Sequence, residues 1–171
     1  MDFMGLQIRI IALFILGTFA QLISGQSAHR EWRAADELFD EEAYSLAEKK
    51  YRSAAGKKED PALHYNWGNT LYEQEAYADA ITQYEKSLSM ADVGEDLRFK
   101  VHHNKGNAHA RQGEWEKAIS NYREALKLNP KHNPTRENLW RAMQQIPPPQ
   151  QQSQKSEESD PSEKDKEESQ E

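Results

Sequence analysis

The chain has no cysteine among its 171 residues. This absence excludes disulfide bonds, thiolate metal ligands, a cysteine nucleophile and a lipid-modified N-terminal cysteine. The 8 glycines stand singly, so no glycine-rich loop is available to cradle a phosphate group. No serine sits at a strand-to-helix turn of the kind that exposes a nucleophile. The sequence therefore predicts a protein that is not an enzyme, needs no cofactor and has no small-molecule substrate.

Histidines are present, but their spacing does not suit a metal ion. His102, His103 and His109 lie in one predicted helical stretch. The i, i+4 spacing that aligns two imidazoles on one helix face is missing. We therefore predict no metal site.

Basic charge is not concentrated anywhere in the chain. The formal net charge is −7, and residues 147–171 contribute −5 of it, with eight Asp or Glu against three Lys. The rest of the chain is close to neutral, and its Lys and Arg alternate with Glu. The basic stripe that binding to a phosphate backbone requires is therefore absent, and we predict no nucleic-acid partner.

One long apolar run occurs near the N-terminus, at residues 10–23. Small residues of the signal-peptidase type follow it at residues 24–28. A helix of this length reaches only about 21 Å, short of the roughly 30 Å hydrocarbon core, although an extension back to Leu6 would nearly span it. We therefore predict that residues 1–25 form a signal peptide, with a retained membrane anchor as the alternative. Both options place the body of the protein outside the cytoplasm.

An internal repeat occupies the body of the chain. Residues 65–69 align with residues 103–107 at an offset of 38, and an earlier copy within residues 35–54 aligns at an offset of 33. Each copy has a small residue in its first helix, an alanine early in its second helix and a tyrosine one turn later on the same face. The residues that define the pattern are Ala35, Gly68, Gly106, Ala47, Ala80, Ala118, Tyr51, Tyr84, Tyr122 and the helix-ending Pro130. This spacing is typical of tetratricopeptide repeats (TPR).

The predicted fold is all-α, a TPR solenoid of three helix-turn-helix repeats with a C-terminal capping helix and a disordered tail. The repeats cover residues 28–60, 61–94 and 95–132, and the cap covers residues 133–146. Residues 147–171 are rich in Gln, Glu and Ser and contain no large apolar side chain, so they cannot form a core.

The predicted cap would cover the apolar end of the last repeat. Leu139, Ala142, Met143 and Ile146 share one side of that helix. We expect Trp140 to pack there rather than to contact a ligand.

In stacked TPR units the first helices line the concave face, which is the predicted partner-binding surface. Counting from the small residue at the eighth position gives the residues on or near this face. They are Trp32, Asp36, Tyr65, Asn66, Asn69, Tyr72, Lys100, His103, Asn104, Asn107 and Arg111.

Asn69 and Asn107 occupy equivalent positions in successive repeats. A carboxamide both donates and accepts hydrogen bonds, so this pair suits an extended peptide backbone. The alternative is that both side chains bond to a neighbouring helix or to water. Lys100, His103 and Arg111 make one end of the face basic, which favours an acidic segment or a C-terminal carboxylate.

The order of these features resembles the BatC family, the TPR component of the bacterial aerotolerance (Bat) system found notably in Bacteroidetes. The resemblance rests on the export segment, repeats containing NWGN and NKGN, the cap sequence TRENL and the Gln- and Glu-rich tail. It implies a cell-envelope scaffold linked to stress tolerance, without enzyme activity. It also implies Bat partners with von Willebrand factor A-type domains at the inner membrane. The body would then be periplasmic, or anchored in the inner membrane and facing the periplasm.

Two residues depart from the usual TPR pattern. Lys105 and His109 stand where these repeats usually place a leucine or another large apolar residue. We therefore expect the first helix of the third repeat to pack loosely.

The repeats also resemble the TPR groove that clamps the C-terminal carboxylate of cytosolic chaperones. That clamp needs a lysine at position five and an asparagine at position nine of the first repeat. Trp32 and Asp36 stand there instead, which argues against a chaperone cofactor.

The sequence thus predicts an adaptor that binds a partner protein segment on its concave face. The alternative is a structural assembly factor that self-associates through its repeat ends.

Overall fold

The computed structural model describes residue 13, residues 24–91 and residues 93–146. Apart from residue 13 and the first two residues of the second range, the predicted signal segment lies outside the described residues, as does the whole predicted tail. Every statement about the fold below concerns the described part of the chain.

Seven α-helices and no strand make up the described residues. Helix α1 covers residues 24–40. The others are α2 (Tyr44–Ala55), α3 (Pro61–Glu73), α4 (Tyr77–Ser89), α5 (Glu95–Arg111), α6 (Trp115–Leu128) and α7 (Asn133–Gln144). Consecutive helices form three hairpins, and α7 packs against α6 at the end of the stack. The prediction of an all-α solenoid with a capping helix is confirmed.

Each hairpin turns through one residue with a left-handed backbone. Glu42, Glu75 and Gly113 have φ of 58°, 60° and 74° at equivalent places in the three turns. In the second turn the amide of Glu75 donates to the Tyr72 carbonyl, and the next amide donates to the Leu71 carbonyl, both at 2.9 Å. These two bonds close the end of α3 as a Schellman motif, which requires the left-handed residue.

The helix starts have identifiable causes. Asp60 caps α3 by accepting hydrogen bonds from the amides of Ala62 and Leu63, with Pro61 in the first turn. Helix α5 begins with Glu95 and Asp96, whose charges suit the positive end of the helix dipole. It has 17 residues against 13 in α3, so the extra residues before the third repeat lengthen both the connection and its first helix.

The core lies between the two helices of each hairpin and between neighbouring hairpins. Tyr51, Tyr84 and Tyr122 on the second helices are almost completely buried. Gly68 on α3 and Gly106 on α5 face two of these rings: a Cβ at Gly106 would lie 2.6 Å from Tyr122 Cε1. Gly68 and Gly106 are therefore needed because a tyrosine ring lies directly against the helix backbone at each of them.

Lys105 and His109 do not loosen α5 as expected. His109 is buried with Nδ1 2.6 Å from Glu114 Oε2, and Lys105 Nζ lies 2.7 Å from Glu85 Oε1. Carboxylates from a neighbouring helix and from the following turn thus pair with the two polar side chains. The expectation of loose packing overlooked these partners.

Capping by α7 uses fewer side chains than predicted. Ala142 is buried, and Leu139 and Ile146 pack against the core cluster that includes Tyr122. Trp140 is 62% exposed and Met143 is 47% exposed. The expectation that Trp140 packs inside the cap is wrong, because the neighbours of α7 in the described chain cover only its inner side.

We predict that Gly106→Val lowers the free energy of unfolding by about 3 kcal/mol, because the added methyl groups overlap the buried Tyr122 ring. Gly56→Val is the matched control, since a Cβ there meets only backbone oxygens at 3.6 and 3.7 Å. Urea unfolding followed by circular dichroism measures both. Equal stability of the two variants would contradict the tyrosine–glycine contact.

Candidate functional site: the concave face

The concave face is built on a hydrogen-bonding pattern that recurs in each repeat. Asn69 Oδ1 accepts hydrogen bonds from the Tyr84 hydroxyl at 2.9 Å and from Asn104 Nδ2 at 2.8 Å. Tyr84 belongs to the same repeat as Asn69, whereas Asn104 belongs to the next one. One oxygen therefore connects the two helices of its own repeat to the first helix of the following repeat.

The repeats on either side contain the same arrangement. In the third repeat Asn107 Oδ1 accepts from the Tyr122 hydroxyl and from Asn138 Nδ2 of the cap, both at 2.9 Å. In the first repeat a carboxylate takes the acceptor position. We call these sets the bridging triads: Asp36–Tyr51–Asn66, Asn69–Tyr84–Asn104 and Asn107–Tyr122–Asn138.

Burial makes the bridging triads strong constraints. Desolvation raises the pKa of the Tyr51, Tyr84 and Tyr122 hydroxyls above their ordinary value. All three therefore remain protonated donors at any physiological pH. A buried donor that loses its acceptor costs roughly 1–3 kcal/mol, so the acceptor side chains cannot be treated as free for a ligand.

This arrangement bears directly on the predicted peptide contacts of Asn69 and Asn107. Both carboxamide oxygens are engaged within the solenoid, as the second of the two sequence interpretations anticipated. Asn107 Nδ2 lies 3.3 Å from His103 Nε2. Among the described residues Asn69 Nδ2 has no hydrogen-bond partner, so that amide group is what Asn69 can still offer to a ligand.

The other predicted residues divide between framework and surface. Trp32 packs against the core of the first repeat, and the Tyr65 hydroxyl accepts a 3.2 Å hydrogen bond from Asn104 Nδ2. On the exposed side, Lys100 pairs with Asp96 at 2.7 Å. Arg111 Nε donates to the Tyr72 hydroxyl at 3.2 Å.

A groove of about 420 Å³ opens where α3, α5, α6 and α7 meet. Its wall carries aromatic, amide and basic side chains, among them Tyr72, Asn107, Arg111, Trp115, Asn138 and Arg141. No Asp or Glu is among the described residues that line it. Counting positions along the first helices predicted Tyr72, Asn107 and Arg111 on this face. It missed Trp115 of α6 and Asn138 and Arg141 of the cap.

A second hollow of similar size lies on the opposite side of α5. Its charged residues are already paired: Glu85 with Lys105, and Glu114 with both His109 and Lys117. Two of these pairs involve a mostly buried side chain, Lys105 or His109, whereas Arg141 in the concave groove pairs with Glu137 through two exposed side chains. The concave groove is therefore the better candidate site.

Two histidines and a threonine connect the concave face to the cap. Thr135 Oγ1 lies 2.9 Å from His103 Nδ1 and 2.7 Å from His132 Nδ1. His132 Nδ1 also accepts from the Thr135 amide at the start of α7, so this nitrogen carries no proton. The threonine hydroxyl then donates to His132 and accepts from His103 Nδ1–H, which leaves His103 Nε2 as the acceptor for Asn107. These hydrogen bonds fit a His103 imidazole that carries its proton on Nδ1.

The described chain contains no group of three or more His, Cys, Asp or Glu side chains that could hold a metal ion. None of its described helices is both long and apolar enough to cross a membrane.

Comparison with known proteins agrees with the architecture. Residues 59–139 match the family described as tetratricopeptide repeat, a stretch that contains α3 to α6 and the first half of α7. The fold is a TPR solenoid. TPR folds are non-catalytic scaffolds for protein–protein contacts. No curated protein matches the chain by sequence.

Several solved TPR structures share the fold at low sequence identity. The Arabidopsis OM64 TPR domain is 14% identical, with a TM-score of 0.66, and the match covers 72% of this chain and 99% of that domain. The first TPR of Spaghetti (RPAP3) bound to the HSP90 peptide SRMEEVD is 18% identical, with a TM-score of 0.62 and coverage of 70% and 93%. YrrB, a TPR protein with an unusual peptide-binding site, is 19% identical, with a TM-score of 0.60 and coverage of 69% and 59%.

The buried position of His103 predicts that stability falls with acid. Burial and the neighbouring His132 lower the pKa of His103 below its ordinary value. Near that ordinary value, about 6.5, the unfolded chain therefore binds more protons than the folded chain. Stability is fully present above this pH and decreases as the pH falls below it.

We expect urea unfolding to show a lower free energy at pH 5.5 than at pH 7.5. His103→Gln should reduce this difference, and His29→Gln, on the exposed side of α1, should not. The pKa values of Glu59, Glu114 and Glu124 are lowered by their cationic partners. Protonation of these carboxylates therefore affects the free energy of unfolding only at a more acidic pH. An unchanged pH dependence in His103→Gln would contradict this role of the imidazole.

Proposed function

We propose that this protein is a non-enzymatic adaptor that holds a segment of a partner protein in the concave groove between the third repeat and the cap. The observation that supports this most strongly is the composition of the groove. Two guanidinium groups, aromatic rings and carboxamides line it without a single acidic side chain among the described residues. Such a surface suits a peptide that carries carboxylates and exposes backbone amides.

The groove would bind its partner with side chains that lie outside the bridging triads. Arg111 and Arg141 are exposed at the groove, and Trp115 offers a half-buried ring beside them. The bridging triads hold the walls in place beneath these groups. The division lets the contact surface be pre-organised, which reduces the entropy lost on binding.

Neighbouring TPR structures supply a precedent for peptide binding. The RPAP3 domain is bound to an acidic HSP90 peptide, and YrrB is described as having an unusual peptide-binding site. In this chain Trp32 packs in the core and Asp36 belongs to a bridging triad. We therefore place the contact further along the solenoid, at Arg111 and Arg141, and not at the position of the chaperone clamp.

We further propose that the adaptor acts in the bacterial cell envelope, within a Bat-type aerotolerance or stress complex. The apolar run at residues 10–23 supports export, as a cleaved signal peptide or as a retained anchor. The resemblance to the BatC family supports partners with von Willebrand factor A-type domains at the inner membrane. The body of the protein would then face the periplasm.

One observation favours the alternative of self-association through the repeat end. Trp140 and Met143 expose apolar surface on the outer side of α7, where a second copy could cover it.

Photo-crosslinking in cells distinguishes the two functions. A photoreactive amino acid at Arg111 should give adducts with another protein, whereas one at Arg123, which is exposed on the outer helix α6, should not. A third position, Gln144, lies one turn from Trp140 and reports on contact with a second copy. Adducts with another protein at Arg111 alone support the adaptor. Dimers of this chain from Gln144, with no adduct at Arg111, would overturn it in favour of self-association.

A further inference from the structure

We propose that the acidic segment 147–171 of this same chain occupies the concave groove, with its carboxylates next to Arg111 and Arg141. The inference rests on the proposed function only in that both use this groove. The tail would compete there with the partner segment and hold the adaptor in a self-occupied state.

Charge complementarity is the first argument. The groove contains two guanidinium groups and no acidic lining residue. Arg111 makes its hydrogen bond to a neutral acceptor, the Tyr72 hydroxyl. Arg141 pairs with Glu137 at 2.5 Å, and both side chains are mostly exposed, at 65% and 60%. Exposed pairs of this kind contribute little, so both arginines can accept further carboxylates. The tail supplies eight Asp or Glu against three Lys.

The point where the tail leaves the fold is the second argument. Gln145, directly after α7, is itself one of the residues that line the groove. The acidic segment therefore starts only two residues beyond the groove wall. Its first carboxylates, at Glu157 and Glu158, follow Gln145 by 12 and 13 residues. A span of 12 or 13 residues reaches at most about 45 Å, which is long enough for these carboxylates to return to the groove.

Because the tail is covalently linked to α7, weak contacts are enough for it to occupy the groove. Each exposed ion pair contributes less than about 1 kcal/mol, so a free acidic peptide of this kind would bind poorly. A tether of this length holds the tail at an effective concentration in the millimolar range. Several carboxylates can also exchange over the two arginines. We therefore expect an occupied but salt-sensitive groove, which only a partner that binds better than the tail can enter.

The occupant can be tested by paramagnetic relaxation, because the chain has no cysteine that would have to be removed first. A nitroxide is attached to Ser169→Cys in the full chain, and backbone amide signals are recorded with the label oxidised and reduced. We expect the amide signals near Arg111 to lose about half their intensity or more, since the tethered label spends much of its time at the groove. Raising the salt to about 1 M should restore them, because it shortens the screening length to about 3 Å.

A matched pair of variants isolates the charge. Arg111→Gln with Arg141→Gln should restore the amide signals near residue 111, whereas Lys49→Gln with Arg123→Gln should not. Lys49 and Arg123 are exposed on the outer helices. Their replacement by glutamine removes the same total charge as the two substitutions in the groove. Loss of dispersion in the amide spectrum would reveal unfolding of a variant, and the salt series on the unchanged groove then decides the question alone.

Two results would overturn the proposal. The first is that no broadening is seen near Arg111, or that broadening persists both at high salt and in the variant with Arg111→Gln and Arg141→Gln. The other is broadening in a mixture of ¹⁵N-labelled chains without nitroxide and unlabelled chains with nitroxide, which would assign the groove to the tail of a second copy. The measurement contains no partner protein, so its failure leaves the adaptor function standing, and failure of the adaptor function leaves the tail contact standing.

Discussion

A single acceptor oxygen on the first helix of each repeat receives two hydrogen bonds, and the rest of the structure depends on this sharing. Asn69 Oδ1, for example, accepts one hydrogen bond from the Tyr84 hydroxyl and another from Asn104 Nδ2. The tyrosine ring lies directly against the helix backbone at Gly68 where its hydroxyl reaches the oxygen. The asparagine ties the same oxygen to the first helix of the next repeat. One atom thus couples the pairing of helices within a repeat to the stacking of neighbouring repeats. In a solenoid each repeat contacts only its neighbours, so such links set the order of the whole stack.

This coupling also decides which residues are available for function. The acceptors face the concave side but are committed to the framework, so the binding chemistry falls to residues placed beside them. Arg111 and Trp115 stand at the end of one helix and the start of the next, and Arg141 comes from the cap. A partner bound as proposed would therefore meet aromatic and amide groups that the bridging triads hold in place, with two exposed arginines at the rim. The position of these arginines, rather than the asparagine pair, sets the expected preference for acidic segments.

The periodicity of the sequence was sufficient to predict the architecture. The recurrence of small residues and tyrosines predicted three helical hairpins whose first helices line the concave face. The proline at the start of the cap indicated a seventh helix. Side-chain partnerships between elements were not predictable in the same way. Lys105 and His109 looked incompatible with tight packing because their acidic partners, Glu85 and Glu114, are known only once the helices are placed.

The candidate site was predicted in part for a related reason. Counting positions along the first helices finds residues such as Tyr72 and Arg111, but the groove is completed by α6 and α7, which that counting leaves out. A usable signal did exist for the triads. Asn66 and Asn104 each precede an acceptor asparagine by three residues, and Asn138 occupies the matching place in the cap. Its meaning becomes clear only when the amide of one repeat is seen to reach back to the oxygen of the previous repeat.

The most direct test of this account is a double-mutant cycle between Asn69 and Asn104, measured by urea unfolding of Asn69→Ala, Asn104→Ala and the combined variant. If one oxygen joins the two repeats, the combined variant should lose less stability than the sum of the single changes, with a coupling of about 1 kcal/mol. Asn69→Asp, which retains an acceptor as Asp36 does in the first repeat, should be less destabilising than Asn69→Ala. Additive losses, together with equal effects of aspartate and alanine at position 69, would contradict the shared oxygen as the link between repeats.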